Sequence, residues 1–134
     1  MSIWQNSPKG LSLWTQLCLL AAAVIHLLPL AGLPGAAALE RLYGLAELDA
    51  STELLLQHRA LMFGLLGGGL LAAIRYPSWR LPVVSIVLLS DLGFLLLCAM
   101  HWPLNDALQR VAMFDVVSIV VLLITALNVR RAKF

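Results

Sequence analysis

The chain of 134 residues is 61% hydrophobic and only 12% charged, where a soluble domain carries about a quarter charged residues. With a mean hydropathy of +0.92 it lacks the polar surface of a soluble monomer and reads as an integral membrane protein. A formal charge of +2 is too mild for a nucleic-acid surface, and two cysteines in so apolar a chain do not form a disulfide framework.

A membrane-crossing helix needs about 20 mainly apolar residues, and four stretches meet that length. The first runs from about Leu11 to Leu33, where Pro34-Gly35 stops it. It exceeds the 7–15-residue core of a secretory signal, so it is read as a retained span even though Ala36-Ala37-Ala38 resembles a cleavage site. Ala36 to Tyr43 then reads as a short interfacial helix, with Leu39 and Leu42 apolar and Glu40 and Arg41 polar. The second span runs from about Leu54 to Ile74, capped by Asp49 or Ser51. Pro77 breaks the chain, and Pro82 suits the first turn of the third span, about Leu81 to Met100. Pro103, Asn105 and Asp106 separate it from the fourth, about Ala107 to Asn128. The expected fold is all-α: an antiparallel four-helix transmembrane bundle, residues 1–134 forming one domain.

Basic residues orient such a chain. Lys9, Arg75, Arg80, Arg130, Arg131 and Lys133 fall on one side, while Arg41, Arg59 and Arg110 fall on the other with most of the acids. Both termini are therefore expected in the cytoplasm of a bacterium, with the spans in its inner membrane. Trp14, Tyr76 and Trp79 would mark the inner interface, and Tyr43 and Trp102 the outer one.

Ionisable groups in hydrocarbon are expensive and mark sites to inspect. Here they are His26, His58, Arg59, Asp91, Arg110 and Asp115, gathered toward the outer half. Arg59 and Arg110 are close enough to helix ends to snorkel, and Asp106 with Arg110 reads as an i, i+4 surface pair with cap duty. His26 reads as a histidine satisfied by a hydroxyl or a carbonyl, helped by the carbonyl that Pro29 frees one turn back. Asp91 and Asp115 each need a cation, a donor or a proton. Two readings stand for them: an internal strut to Arg59 or His58, or the lining of a ligand pocket. Gly64 and Gly68 form a G-x-x-x-G pair, with Gly67 and Gly69 beside them. Such a pair permits close packing within the bundle or a homodimer seam.

Several chemistries lack their residues. There is no zinc signature, P-loop or dinucleotide fingerprint. Cys18 and Cys98 lie at different depths with no C-x-x-C, and Ser85 and Ser90 are too deep for an obvious triad. His26 and His58 on neighbouring helices leave a haem as a candidate cofactor. No ring of like polar groups crosses the inner half to conduct ions.

Ile25-His26-Leu27-Leu28-Pro29, Leu42-Tyr43-Gly44 and His58-Arg59-Ala60-Leu61-Met62-Phe63-Gly64, in this order and spacing, resemble small bacterial four-helix membrane proteins of the broad DoxX-like group. The matching residues are His26, Tyr43, His58, Arg59 and Gly64. The resemblance implies four spans, an inner-membrane location and, for a few relatives, quinone-coupled sulfur oxidation as a partner of another subunit. Similar sequences are often labelled phosphopantetheine adenylyltransferase. That activity needs an H-x-G-H motif on a Rossmann-like sheet, and this chain has neither.

Three functions follow as expectations. In the first, a lipophilic small molecule, a quinone or a lipid, enters from the bilayer into an outer-half pocket; His26, His58 and Arg59 supply donors, and Asp91 and Asp115 orient them. The second is a membrane enzyme performing acid–base chemistry, an isomerisation or ring opening, with His58 as the first candidate and Asp115 or Asp91 as the second. A structural accessory subunit of a membrane complex is the third. No metal ligand set is expected.

Overall fold

The computed structural model describes residues 11–131; Lys9 and Lys133, used above to orient the chain, lie outside the described residues. Five α-helices follow in order: α1 Leu13–Leu27, α2 Ala36–Tyr43, α3 Ala50–Arg75, α4 Arg80–Met100 and α5 Asp106–Arg131. Three-ten turns cover Leu28–Gly32 and Pro77–Trp79. Four segments are long and apolar enough to cross a membrane: Leu13–Gly32, Ala50–Arg75, Pro77–Met100 and Asp106–Arg131. The chain is a multi-pass all-α bundle, as its composition predicts.

Local chemistry sets the helix ends. Ser12 opens α1, its hydroxyl accepting from the Thr15 amide. Pro29 has no N–H to continue the α pattern, so the first span tightens into a 3₁₀ turn from Leu28. Helix α2 has the sequence-expected bounds, because Gly35 (φ 129°) and Gly44 (φ 62°) turn the chain at its two ends. Asp49 rather than Ser51 caps α3: its carboxylate accepts from the Ser51 and Thr52 amides at 2.9 and 3.1 Å and from the Thr52 hydroxyl at 2.6 Å. That cap starts α3 four residues before the apolar run begins. At the other end Arg80 donates to the Ala73 and Ile74 carbonyls, satisfying groups the helix leaves open. Asn105, not Asp106, caps α5, its Oδ1 accepting from the Leu108 amide at 2.8 Å.

The four long helices form an antiparallel ring in the order α1, α3, α4, α5, and among the described residues α1 does not pack against α4 nor α3 against α5. Leucines on the outward faces, such as Leu65 and Leu89 at 70% and 73% exposure, are as apolar as the core. Lipid gives such helices little hydrophobic reason to associate, so close packing carries the association. The closest seam is α1 on α3. A Cβ at Gly67 would stand 3.1 Å from the Ala23 carbonyl oxygen and 2.8 Å from Leu27, and one at Gly64 would stand 2.8 Å from Leu30. Gly68 meets nothing within 4 Å. The packing pair is Gly64 with Gly67, and the G-x-x-x-G spacing is not what α1 reads. At 100° per residue Gly68 lies about 40° from Gly64 on the side opposite Gly67, and so about 100° from Gly67, beyond the edge of the seam.

The half nearer the termini is filled by Leu19, Ala22, Ala23, Leu70, Val84, Val87 and Leu122. Its buried polar side chains are satisfied locally, Thr125 by the Val121 carbonyl and Thr15 by Ser12. Beyond this apolar plug, toward the α2 end, the buried polar groups are His26, Asp91, Asp115 and Ser118.

Candidate functional site

The site grows from His26, the penultimate residue of α1. Its Nδ1 lies 2.8 Å from the Ala22 carbonyl, which only accepts, so Nδ1 carries a proton. The ring stacks on Phe63 of α3, with centroids 5.5 Å apart and planes 14° apart. These two contacts aim Nε2 at Asp91 Oδ1, 3.0 Å away on α4. One proton lies between these two atoms, on whichever of them holds it. The sequence reading satisfied His26 through the carbonyl that Pro29 frees; the structure uses Ala22 instead, because a side chain on a helix lies back over the preceding turn.

Asp91 is therefore half of a strut, but its partner is His26 and not Arg59 or His58. Its second oxygen, Oδ2, has no partner, and neither do Asp115 Oδ2 or Ser118 Oγ. Three unpaired buried polar atoms in one half of a small bundle are unusual, since native interiors leave few such groups.

Arg59 enters the same half from α3. Its guanidinium lies over three aromatic rings: Phe94 at 4.6 Å, Phe63 at 5.2 Å and Tyr43 at 5.5 Å. Such faces attract a cation, and they come from three helices. No carboxylate oxygen lies within 4 Å of it; among the described residues the one such acid–base contact is His26 with Asp91. Arg59 does not snorkel out to the interface. Tyr43 is buried to 3% exposure and is a wall of the site rather than the interfacial anchor expected of it. Burial pushes its phenol above the ordinary tyrosine range; the Arg59 charge opposes that shift and Asp115 adds to it.

Two cavities flank Arg59. The first, of about 320 Å³, lies among the end of α1, α2, α3 and α5, with Pro29, Tyr43, Phe63 and Val111 in its lining. Its polar groups are Arg41, Arg59, Arg110 and Asp115, and half-exposed Leu28 and Phe114 stand at its margin. The second, of about 660 Å³, is a more open groove lined by α3, α4 and the start of α5, with Phe94, Gly93, Cys98 and His101 in its lining. Arg59 and Phe63 line both. Helix α2 roofs the first cavity and is held there by Asn105, whose Nδ2 donates to the Tyr43 carbonyl at 3.0 Å.

The structure thus brings Arg59 and Asp115 to one cavity and sets the His26–Asp91 pair behind Phe63. His58 is not brought in. It is exposed on α3 and lines neither cavity, so its expected roles as ligand donor and first acid–base candidate have no geometry to support them. Neighbouring residues on a helix point 100° apart, and Arg59 takes the inward position. A haem does not fit either: both His26 nitrogens are engaged, and His58 faces away. Arg110 makes no ion pair with Asp106 within 4 Å and lines the cavity instead. The sequence reading missed Arg41, Phe63 and Phe94, residues whose types are ordinary at helix surfaces. Only Arg41, on the side that the asymmetry of basic residues predicts to be poor in them, carried a signal.

No protein-family model, curated protein or solved structure matches this chain, so its site is read from its own chemistry.

Proposed function

We propose that this chain is a bacterial inner-membrane protein, with both termini in the cytoplasm, that binds a lipophilic small molecule in the cavity among α1, α2, α3 and α5. The carrying observation is the cavity's polarity. Beside Arg41 and Arg110 in a largely apolar wall, it presents the Arg59 guanidinium with no carboxylate oxygen within 4 Å and the Asp115 carboxyl with an unpaired oxygen. Protein interiors do not keep such groups without partners, and a small apolar pocket with a few convergent polar groups is the usual form of a ligand site. Leu28 and Phe114 give the molecule a way in from the acyl chains. Arg75, Arg80, Arg130 and Arg131 at the opposite end support the orientation. The resemblance to the DoxX-like group agrees with this reading through Tyr43 and Arg59, which line the cavity.

Native mass spectrometry of the protein released from mild detergent tests the reading. A lipid- or quinone-sized adduct is expected on the wild type and is lost in Arg59→Met and in Val111→Phe, which fills the wall. A wild type that carries no adduct, or variants that keep it, would refute the proposal.

The acid–base reading retains one favourable observation, the unpaired Asp115 Oδ2 beside the cavity. Asp115 replaces His58 as its first candidate, and conversion of a bound molecule that stops in Asp115→Asn would support it.

A further inference from the structure

Nine basic residues occur in the chain. Seven of them lie among the described residues: Arg75, Arg80, Arg130 and Arg131 at the end away from α2, and Arg41, Arg59 and Arg110, which all line the one cavity. A translocated segment disfavours basic residues, so their gathering at one place calls for a cause. Mutual neutralisation is not that cause. All seven acids lie in the same half of the chain's course, yet none approaches these arginines within 4 Å among the described residues. Asp115 is the single acid in the lining. Three guanidinium groups against one carboxyl leave the cavity positive whether or not that carboxyl is ionised.

We infer that the ligand is an amphiphile with an anionic head, a carboxylate or a phosphate, whose apolar tail leaves past Leu28 and Phe114 into the bilayer. Guanidinium groups are the preferred partners of such oxygens. Arg41 and Arg110 are exposed at the margin while Arg59 is deeper, so a head arriving from the membrane surface meets the outer two first. Arg41 Nε already donates to the Ala37 carbonyl at 3.1 Å, which braces the side chain and leaves its terminal nitrogens for the ligand. This inference rests on the binding reading above and narrows it, because a neutral quinone head makes no use of the net charge.

The test is a native mass-spectrometry titration of the full chain in a neutral detergent with oleate, oleyl phosphate, oleyl alcohol, a neutral ubiquinone analogue and inorganic phosphate. Oleate or oleyl phosphate is expected to bind at least about tenfold tighter than the alcohol and the quinone analogue. The tighter of the two anions identifies the head. Inorganic phosphate is expected to bind far more weakly, since it has no chain. The exposed double variant Arg41→Gln/Arg110→Gln is expected to lose most of the anion preference, whereas Arg75→Gln at the far end of α3 keeps it. An alcohol or quinone analogue that binds as tightly as the anions overturns the inference and leaves the binding reading standing. So does a double variant with its preference intact. Inorganic phosphate binding as tightly as oleyl phosphate would overturn the lipid source. Failure of every probe to bind the wild type would defeat the binding reading itself.

Discussion

His26 and Asp91 meet across the diagonal of the bundle. Their helices, α1 and α4, are not packed against each other, yet Nε2 and Oδ1 are 3.0 Å apart with both side chains fully buried. The contact fixes the rotation of two helices whose outward faces are as apolar as their inward ones. Packing alone specifies that rotation weakly, and a single polar pair specifies it strongly.

Removing one partner leaves the other buried and alone. His26→Ala is expected to cost about 3 kcal/mol of stability, although hydrogen bonds between membrane helices often measure nearer 1 kcal/mol. The double variant His26→Leu/Asp91→Leu should recover much of the loss. Reversible unfolding in detergent of both single variants and the double variant measures the coupling. Additive losses would mean the pair contributes nothing as a pair.

Gly67 and Gly68 are expected to respond in opposite ways. Alanine at 67 pushes against the Ala23 backbone and should destabilise by about 1–3 kcal/mol. Alanine at 68 enters open space and should gain about 0.5–1 kcal/mol in helix propensity. Thermal unfolding of the two variants in the same detergent decides it.

Tyr43 makes stability pH-dependent in the alkaline range. Burial raises its phenol above the ordinary value near 10, so the folded state favours the neutral form. The associated stability is complete below the ordinary tyrosine range and is lost as pH rises from there through the folded-state value. Tyr43→Phe should flatten that loss. Arg59→Met should raise the phenol further, and Asp115→Asn should lower it, read as phenolate absorbance in a Tyr76→Phe background.

His58→Ala should change ligand retention by no more than about twofold, as expected of an exposed position away from the cavities. Arg59→Met should reduce retention by about tenfold or more. Native mass spectrometry of the two variants reads the contrast, and an adduct lost in His58→Ala would return that residue to the site.

The different fates of His58 and Arg59 show where sequence reasoning ends. Span positions were legible because apolar length, Pro34-Gly35, Asp49 and Pro77 act locally. The depth of His26, Asp91 and Asp115 followed from counting residues along those spans. Rotation about each helix axis did not, because lipid and core select the same residue types and leave little amphipathic signal. The pairing of His26 with Asp91 depends on that rotation, and so does the choice of Arg59 over its neighbour. The aromatic setting of Arg59 draws on Tyr43, Phe63 and Phe94, residues 20 to 51 positions apart on three helices.

Asn105 works with its two ends separately: the carbonyl oxygen caps α5, and the amide nitrogen holds the Tyr43 carbonyl and with it the roof of the cavity. Aspartate at this position keeps the cap and loses the latch, so Asn105→Asp should leave α5 intact while letting α2 swing on its glycine joints. Faster hydrogen exchange confined to residues 36–44 would record that motion. Ligand exchange would then be governed by a residue that need not touch the ligand, at a place where the rate of release can change without any change in the groups that hold it.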